Sequence, residues 1–192
     1  SNAAKIASDW SSDGRLLLYR TSDPNGDNDL WVLPIAEGGA PFLAVDAPFD
    51  AREGQFSPDV RWIAYQSNES GRFEIYVQPF AGRDGKGAGK WQISTTGGAQ
   101  VRWRRDGREL YYIALDGQMM AVPVQLSPKG DAVEAGTPVP LFQTRVGGAV
   151  QSFARQQYVV SPDGQRFLMG NVVEQAGTPI TVILNWRPPN GE

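Results

Sequence analysis

A short phrase built on an aspartate turn occurs four times in this chain, and it constrains the fold more than any other feature. The aspartates are Asp13 in "WSSDGR", Asp59 in "FSPDVR", Asp106 in "WRRDGR" and Asp163 in "VSPDGQ", spaced by 46, 47 and 57 residues. The flanks agree by column. Three residues before the aspartate stand Trp10, Phe56, Trp103 and Val160; two after stand Arg15, Arg61, Arg108 and Gln165. Four after stand Leu17, Ile63, Leu110 and Phe167, and six after stand Tyr19, Tyr65, Tyr112 and Met169. Columns four and six share one face of a strand, because strand side chains alternate with period two.

Asp-Gly between apolar runs signals a tight turn, and an aspartate carboxylate accepts hydrogen bonds from the backbone just beyond it. The four aspartates are therefore structural turn residues, repeated because each unit needs the same corner. Each unit reads as strand, turn, strand, polar hairpin, strand. The third strands are "DLWVLPI" (29–35), "FEIYVQPF" (73–80), "QMMAVPVQL" (118–126) and "ITVILNW" (180–186). An outer fourth strand follows in three units, as "PFLAVDA", "KWQISTT" and "PVPLFQT", and is lacking in the last. No segment carries a sustained helical period with caps. Four-stranded sheets repeating every 40 to 50 residues are propeller blades. The expected fold is all-β: four four-stranded blades, the last lacking its outer strand, forming part of a larger propeller. Residues 1–3, "SNA", read as a tag remnant. Residues 4–192 form a single domain, with blades at about 5–47, 51–97, 98–145 and 154–187.

The turn "SPDG" (161–164), its relatives and the run "WIAYQSNESGRFEIYV" resemble the TolB-like β-propeller repeat family. The ending "TPITVILNW" is similar to the C-terminus of bacterial serine/threonine protein kinases that carry such propellers. The first resemblance implies a propeller, usually of six or more blades. The second implies an extracytoplasmic or periplasmic signalling module, tethered through a membrane segment outside this chain to a kinase. A propeller gating a prolyl-oligopeptidase-like hydrolase and a glycan-binding propeller are the alternatives. The former predicts a G-x-S-x-G elbow after residue 192; the ending "NWRPPNGE", read as a natural terminus, stands against it.

Composition narrows the chemistry. The chain has no His and no Cys, so no Ser-His-Asp or Cys-His arrangement assembles within it, and zinc loses its usual ligands. The expectation is a non-catalytic binding module without cofactor or metal. Eighteen Lys and Arg against 21 Asp and Glu leave a net charge of −3, which disfavours nucleic acid. Apolar runs are strand-sized, so direct membrane insertion is not expected. The expected partner is a protein or a small ligand at the propeller face. Exposed edges of the end blades would favour self-association, two copies making an eight-bladed ring.

Propeller geometry places a ligand at the channel mouth, where first strands begin. The side chains there are Arg52, Glu53, Gln100, Arg102, Arg155 and Gln156. A weak calcium candidate is "DPNGDNDLW", with oxygen ligands at Asp23, Asn25, Asp27 and Asp29; Asn28 stands where the loop needs glycine and Pro34 where it needs glutamate. A solvated hairpin tip is the simpler reading. The arginines of "VRWRRDGR" (101–108) are divided by strand alternation. Trp10, Trp31 and Trp103 read as inter-blade core.

Overall fold

The computed structural model describes residues 4–22, 28–35, 39–45, 48–83, 89–150, 156–171 and 181–183. These form four antiparallel sheets that follow one another along the chain. The first runs β1 (Lys5–Trp10), β2 (Leu16–Ser22), β3 (Asn28–Pro34) and β4 (Phe42–Val45). The second runs β5 (Ala51–Phe56), β6 (Trp62–Ser67), β7 (Glu74–Pro79) and β8 (Trp91–Gln92). The third contains β9 (Ala99–Trp103), β10 (Glu109–Ile113), β11 (Gln118–Leu126), β12 (Val133–Ala135) and β13 (Val139–Gln143). The fourth contains β14 (Tyr158–Val160), β15 (Phe167–Met169) and β16 (Thr181–Ile183). The fifth strand of the third sheet is a departure from the expected four. Here β11 outruns β13, and its last residues, Val124–Leu126, pair instead with β12.

Each turn aspartate stitches its corner. Asp13 Oδ1 accepts from Ser11 Oγ at 2.6 Å and from the Arg15 amide at 3.1 Å. Asp59 accepts from Ser57 Oγ and the Arg61 amide, and Asp163 from Ser161 Oγ and the Gln165 amide. Asp106 has no serine partner two residues back and accepts from the Arg108 amide alone at 3.1 Å. Serine hydroxyls and amides favour the ionised form, which holds Asp13 and Asp163 below the usual carboxylate range. The residue after the aspartate is left-handed in all four corners. Gly14, Gly107 and Gly164 take φ near +73°, and Val60 takes φ 58°, a region where a β-branched residue is strained.

Three hydrophobic cores join successive sheets. Leu18, Leu30 and Val32 of the first sheet meet Phe56, Ile63, Tyr65 and Tyr76 of the second. Trp62, Ala64, Ile75 and Val77 of the second meet Val101, Leu110 and Tyr112 of the third. Tyr111, Ile113 and Met119 of the third meet Tyr158, Phe167 and Met169 of the fourth. A rule emerges. Columns three before, four after and six after the aspartate face the preceding sheet, and column five after faces the following one. Approach at the joints is close: a Cβ on Gly54 of β5 would stand 2.8 Å from both Leu18 and Leu30 side chains.

Trp10 and Trp31, expected in inter-blade core, are not enclosed by the described residues. Trp10 belongs to a column that faces the preceding sheet; the described residues hold no sheet before the first, and the ring is 55% exposed. Trp31 lies opposite Tyr19 on the same face and is only half-buried. Trp103, with a sheet before it, packs against the second core and donates Nε1–H to Gln55 O at 3.2 Å.

Candidate functional site

First strands carry a recurring irregularity. Their pairing with the second strands slips between Ala7 and Asp9, between Arg52 and Gln55, and between Tyr111 and Ile113, opposite Gln100 and Val101. A bulge adds one residue, bends the strand and re-aims its side chains. Glu53 and Gln100 occupy the same place in their repeats and adopt φ 51° and 56°, left-handed values that are uncommon for residues other than glycine. Both are buried.

These bulges gather polar side chains where the sheets converge. Glu53 of the second sheet accepts from Gln156 Nε2, beside the fourth sheet, at 2.7 Å, so the contact skips the third sheet. Burial pushes the Glu53 carboxyl up; Arg20, Arg102 and Arg52 counteract it. Arg102 is half-buried, donates Nε–H to Tyr158 O at 3.4 Å, and feels the charges of Asp9 and Glu53. Asp9 is pushed up to about 6 by burial, although it accepts from the Phe56 amide at 2.8 Å. Next to this group, Asp50 receives Arg52 Nε on both oxygens at 2.7 Å and Asn28 Nδ2 at 2.8 Å.

Gln100 is a strut rather than a rim residue. Its amide donates to Gln66 Oε1 at 2.8 Å, its Nε2 donates to Ala149 O at 2.7 Å, and its Oε1 accepts from the Gln157 amide at 2.9 Å. Through its backbone N–H to Gln66 and its side chain to Ala149 and Gln157, this one residue joins the second, third and fourth sheets. Of the six residues expected at the channel mouth, Arg52, Glu53, Arg102 and Gln156 are brought into one network and Gln100 braces it. Arg155 lies outside the described residues. Asp9, Arg20, Asp50 and Tyr158 belong to the network and were not anticipated. A signal for one of them existed: the column four before the aspartate reads Asp9, Gln55 and Arg102 in the first three units, polar residues set between strand positions that pack.

Three buried polar atoms of this region, Arg20 Nε, Gln156 Oε1 and Tyr158 OH, have no protein partner. A buried polar group without a hydrogen bond is costly, so such groups mark water or ligand positions. The remaining arginines of the "VRWRRDGR" stretch face elsewhere. Arg104 lies 3.6 Å from both Asp106 and Glu109, and Arg105 and Arg108 are exposed. Of the calcium candidate, only Asp29 is described; Asp23, Asn25 and Asp27 lie outside the described residues. Among the described residues, no group of three His, Cys, Asp or Glu could hold a metal ion. No helix among them is long and apolar enough to cross a membrane.

Successive antiparallel sheets packed face to face, their inner strands converging on shared polar contacts, have counterparts among solved structures. TolB from Acinetobacter baumannii superposes with TM-score 0.58 at 16% identity, over 90% of this chain and 38% of that one. The Cps50 (Swd1) β-propeller domain of Myceliophteria thermophila matches with TM-score 0.54 at 9% identity, over 92% of this chain and 57% of that one. The fold is a β-propeller fold. A puromycin-hydrolyzing peptidase of Mycobacterium tuberculosis matches with TM-score 0.58 at 16% identity, over 88% of this chain and 27% of that one. The chain spans less than two thirds of each of these propeller proteins. No protein-family model matches the chain, and no curated protein matches it.

Proposed function

We propose that this propeller segment is a non-catalytic binding module that takes an extended peptide segment where its inner strands converge. The carrying observation is the trio of buried atoms without a protein partner around Glu53 and Arg102. Arg20 Nε–H and Tyr158 O–H are donors and Gln156 Oε1 is an acceptor, a set that matches the carbonyl and amide of a peptide backbone. The left-handed bulges at Glu53 and Gln100, strained conformations of the kind that cluster at ligand sites, support the reading. The test is an amide-resolved NMR titration with capped acidic, neutral and basic hexapeptides and, separately, with oligosaccharides. The expected result is saturable shifts at Glu53, Gln100 and Gln156 with at least one peptide class, abolished by Arg102→Ala. Silence with all peptides overturns the reading, and shifts with oligosaccharides alone replace it by the glycan-binding one.

The finer proposal is that the module is the sensor of a receptor-like serine/threonine kinase on the extracytoplasmic side of a membrane. The similarity of "TPITVILNW" to the ends of such kinases supports it. The coding sequence upstream of residue 4 decides: a kinase domain and one apolar span are expected, whereas a signal peptide alone would point to a periplasmic scaffold. The structural likeness to a peptidase favours a second reading, a propeller that gates a hydrolase domain. That reading requires a G-x-S-x-G elbow downstream.

A further inference from the structure

We propose that the segment held where the inner strands converge carries a carboxylate and that Arg20 receives it, a claim that rests on the peptide-binding reading above and names the chemistry of its ligand.

Arg20 lies on β2 two residues beyond Leu18 and shares its face, in the joint between the first and second sheets. Both sheets of that joint are described, so the outer faces of the end sheets play no part. Arg20 is 5% exposed and its Nε is fully enclosed. Among the described residues its guanidinium makes neither a hydrogen bond nor a salt bridge. Charged side chains are almost never so buried unless paired. The carboxylates of this region are engaged elsewhere: Asp50 with Arg52 and Asn28, Glu53 with Gln156, and Asp9 with the Phe56 amide.

The repeat shows what this position does when its role is structural. Seven residues after the turn aspartate, the second sheet has Gln66 where the first has Arg20. Gln66 Oε1 accepts the backbone N–H of Gln100, the left-handed residue of the next bulge, at 2.8 Å. Glu53 is the left-handed residue at the corresponding place for Arg20. A guanidinium offers donors and no acceptor, so Arg20 cannot brace that amide. Its planar fork fits instead the two oxygens of a carboxylate. Tyr158 OH and Gln156 Oε1 remain for the backbone of the same segment.

Glu53 gives the site a pH dependence. The other charged groups facing Arg20 and Glu53 are Asp50 beside β5, Arg52 within it and Arg102 on β9; Asp9 of β1 and Tyr158 of β14 stand beside Arg102. Burial holds Glu53 and Asp9 above the usual carboxylate range, Asp9 at about 6. Both repel an incoming carboxylate while ionised and cease to do so once protonated. Affinity should therefore rise as pH falls from about 7.5 to about 5.5, where a glutamate of the ligand stays ionised.

The test is calorimetric titration of the 192-residue chain with hexapeptides of one sequence. Three are capped and carry Glu, Gln or Lys at a central position; a fourth is the Gln peptide with its C-terminal carboxylate free. The Glu peptide or the free-carboxylate peptide should bind at least about tenfold more tightly than the capped Gln peptide, and which of them does so tells a side chain from a chain end. Arg20→Gln should abolish that preference while its melting temperature stays within about 3 °C of the parent's, because the arginine leaves no bonded partner behind. Glu53→Gln should tighten the preferred peptide and flatten its pH dependence. Preference for the capped Gln or Lys peptide, or equal affinity for all four, overturns the role of Arg20 and leaves the peptide-binding reading standing; binding of none overturns both. A preference that survives Arg20→Gln, a marked loss of stability in that variant, or weaker binding of the preferred peptide to Glu53→Gln would each overturn the role of Arg20 as well.

Discussion

The second sheet and the fourth are built from the same repeat, yet they live in different surroundings. Strand β6 is buried at all six positions, because one side packs against the first sheet and the other against the third. Strand β15 alternates: Phe167 and Met169 are buried against the third sheet, while Leu168 between them is 45% exposed. The difference teaches that burial here belongs to the neighbour and not to the residue. An apolar side chain in column five after the aspartate is core in three sheets and surface in the last.

The contrast can be broken most sharply at the tryptophans. Trp62, 1% exposed, sits in the joint between the second and third sheets and stacks edge-on against Trp91. Trp62→Ala should cost ~3–5 kcal/mol in urea denaturation. Trp10→Ala, in a column that faces no sheet, should change stability by under ~1 kcal/mol in the single-chain form. Equal costs at the two positions would refute the column rule.

The next effect concerns a carboxylate. Glu74 is fully buried and receives Arg72 Nε at 2.7 Å, the Gly97 amide at 2.9 Å and the Ser94 hydroxyl. It ties β7 to the segment that leads into the third sheet. Glu74→Ala strands the Gly97 and Ser94 donors and should cost ~3 kcal/mol, with Glu74→Gln recovering part of it. The fourth sheet is tied to the third by a neutral side chain instead, Gln100, which donates to Ala149 O and accepts from the Gln157 amide.

Much of this was legible in the sequence, and the boundary is physical. Turns, strand order and the shared face of columns four and six are short-range or periodic properties, so they could be read from Asp13, Asp59, Asp106 and Asp163 outward. A terminal repeat has the same columns as an internal one, so nothing in "WSSDGR" announces that Trp10 has no sheet in front of it. The network partners of Glu53 are likewise remote: Gln156 is 103 residues away, and Arg20 lies on another sheet. The residues that take the left-handed conformation in these bulges, Glu53 and Gln100, are not glycines, so nothing in the sequence marks the positions. The pairing of β12 with the end of β11 was missed because "VEA" is three residues long and carries no alternation of its own.

Acid should separate the inner network from the rest. Asp9 is raised to about 6 from 3.8, so between those values the folded chain holds a proton that the unfolded chain has lost. Its contribution therefore stabilises the fold as pH falls from about 6 towards 3.8 and is lost as pH rises through 6. Asp9→Asn keeps an acceptor for the Phe56 amide and should flatten that segment of the stability profile. A slope unchanged in this variant would show that Asp9 titrates normally. The smallest effect is expected at the corner of the second sheet. Val60→Gly relieves a left-handed β-branched residue, loses some packing, and should gain ~0.5 kcal/mol net, while Gly107→Val should cost ~1–2 kcal/mol.

Residue-resolved hydrogen exchange on the single-chain form tests the central claim most directly, that sheets flanked on both sides form the body of the molecule and end sheets are half-supported. Amides of β6, β7 and β10 should be the slowest to exchange, those of β2 and β3 intermediate, and those of β14 and β15 the fastest among paired strands. Uniform protection across all four sheets, or slowest exchange in the fourth, would contradict it.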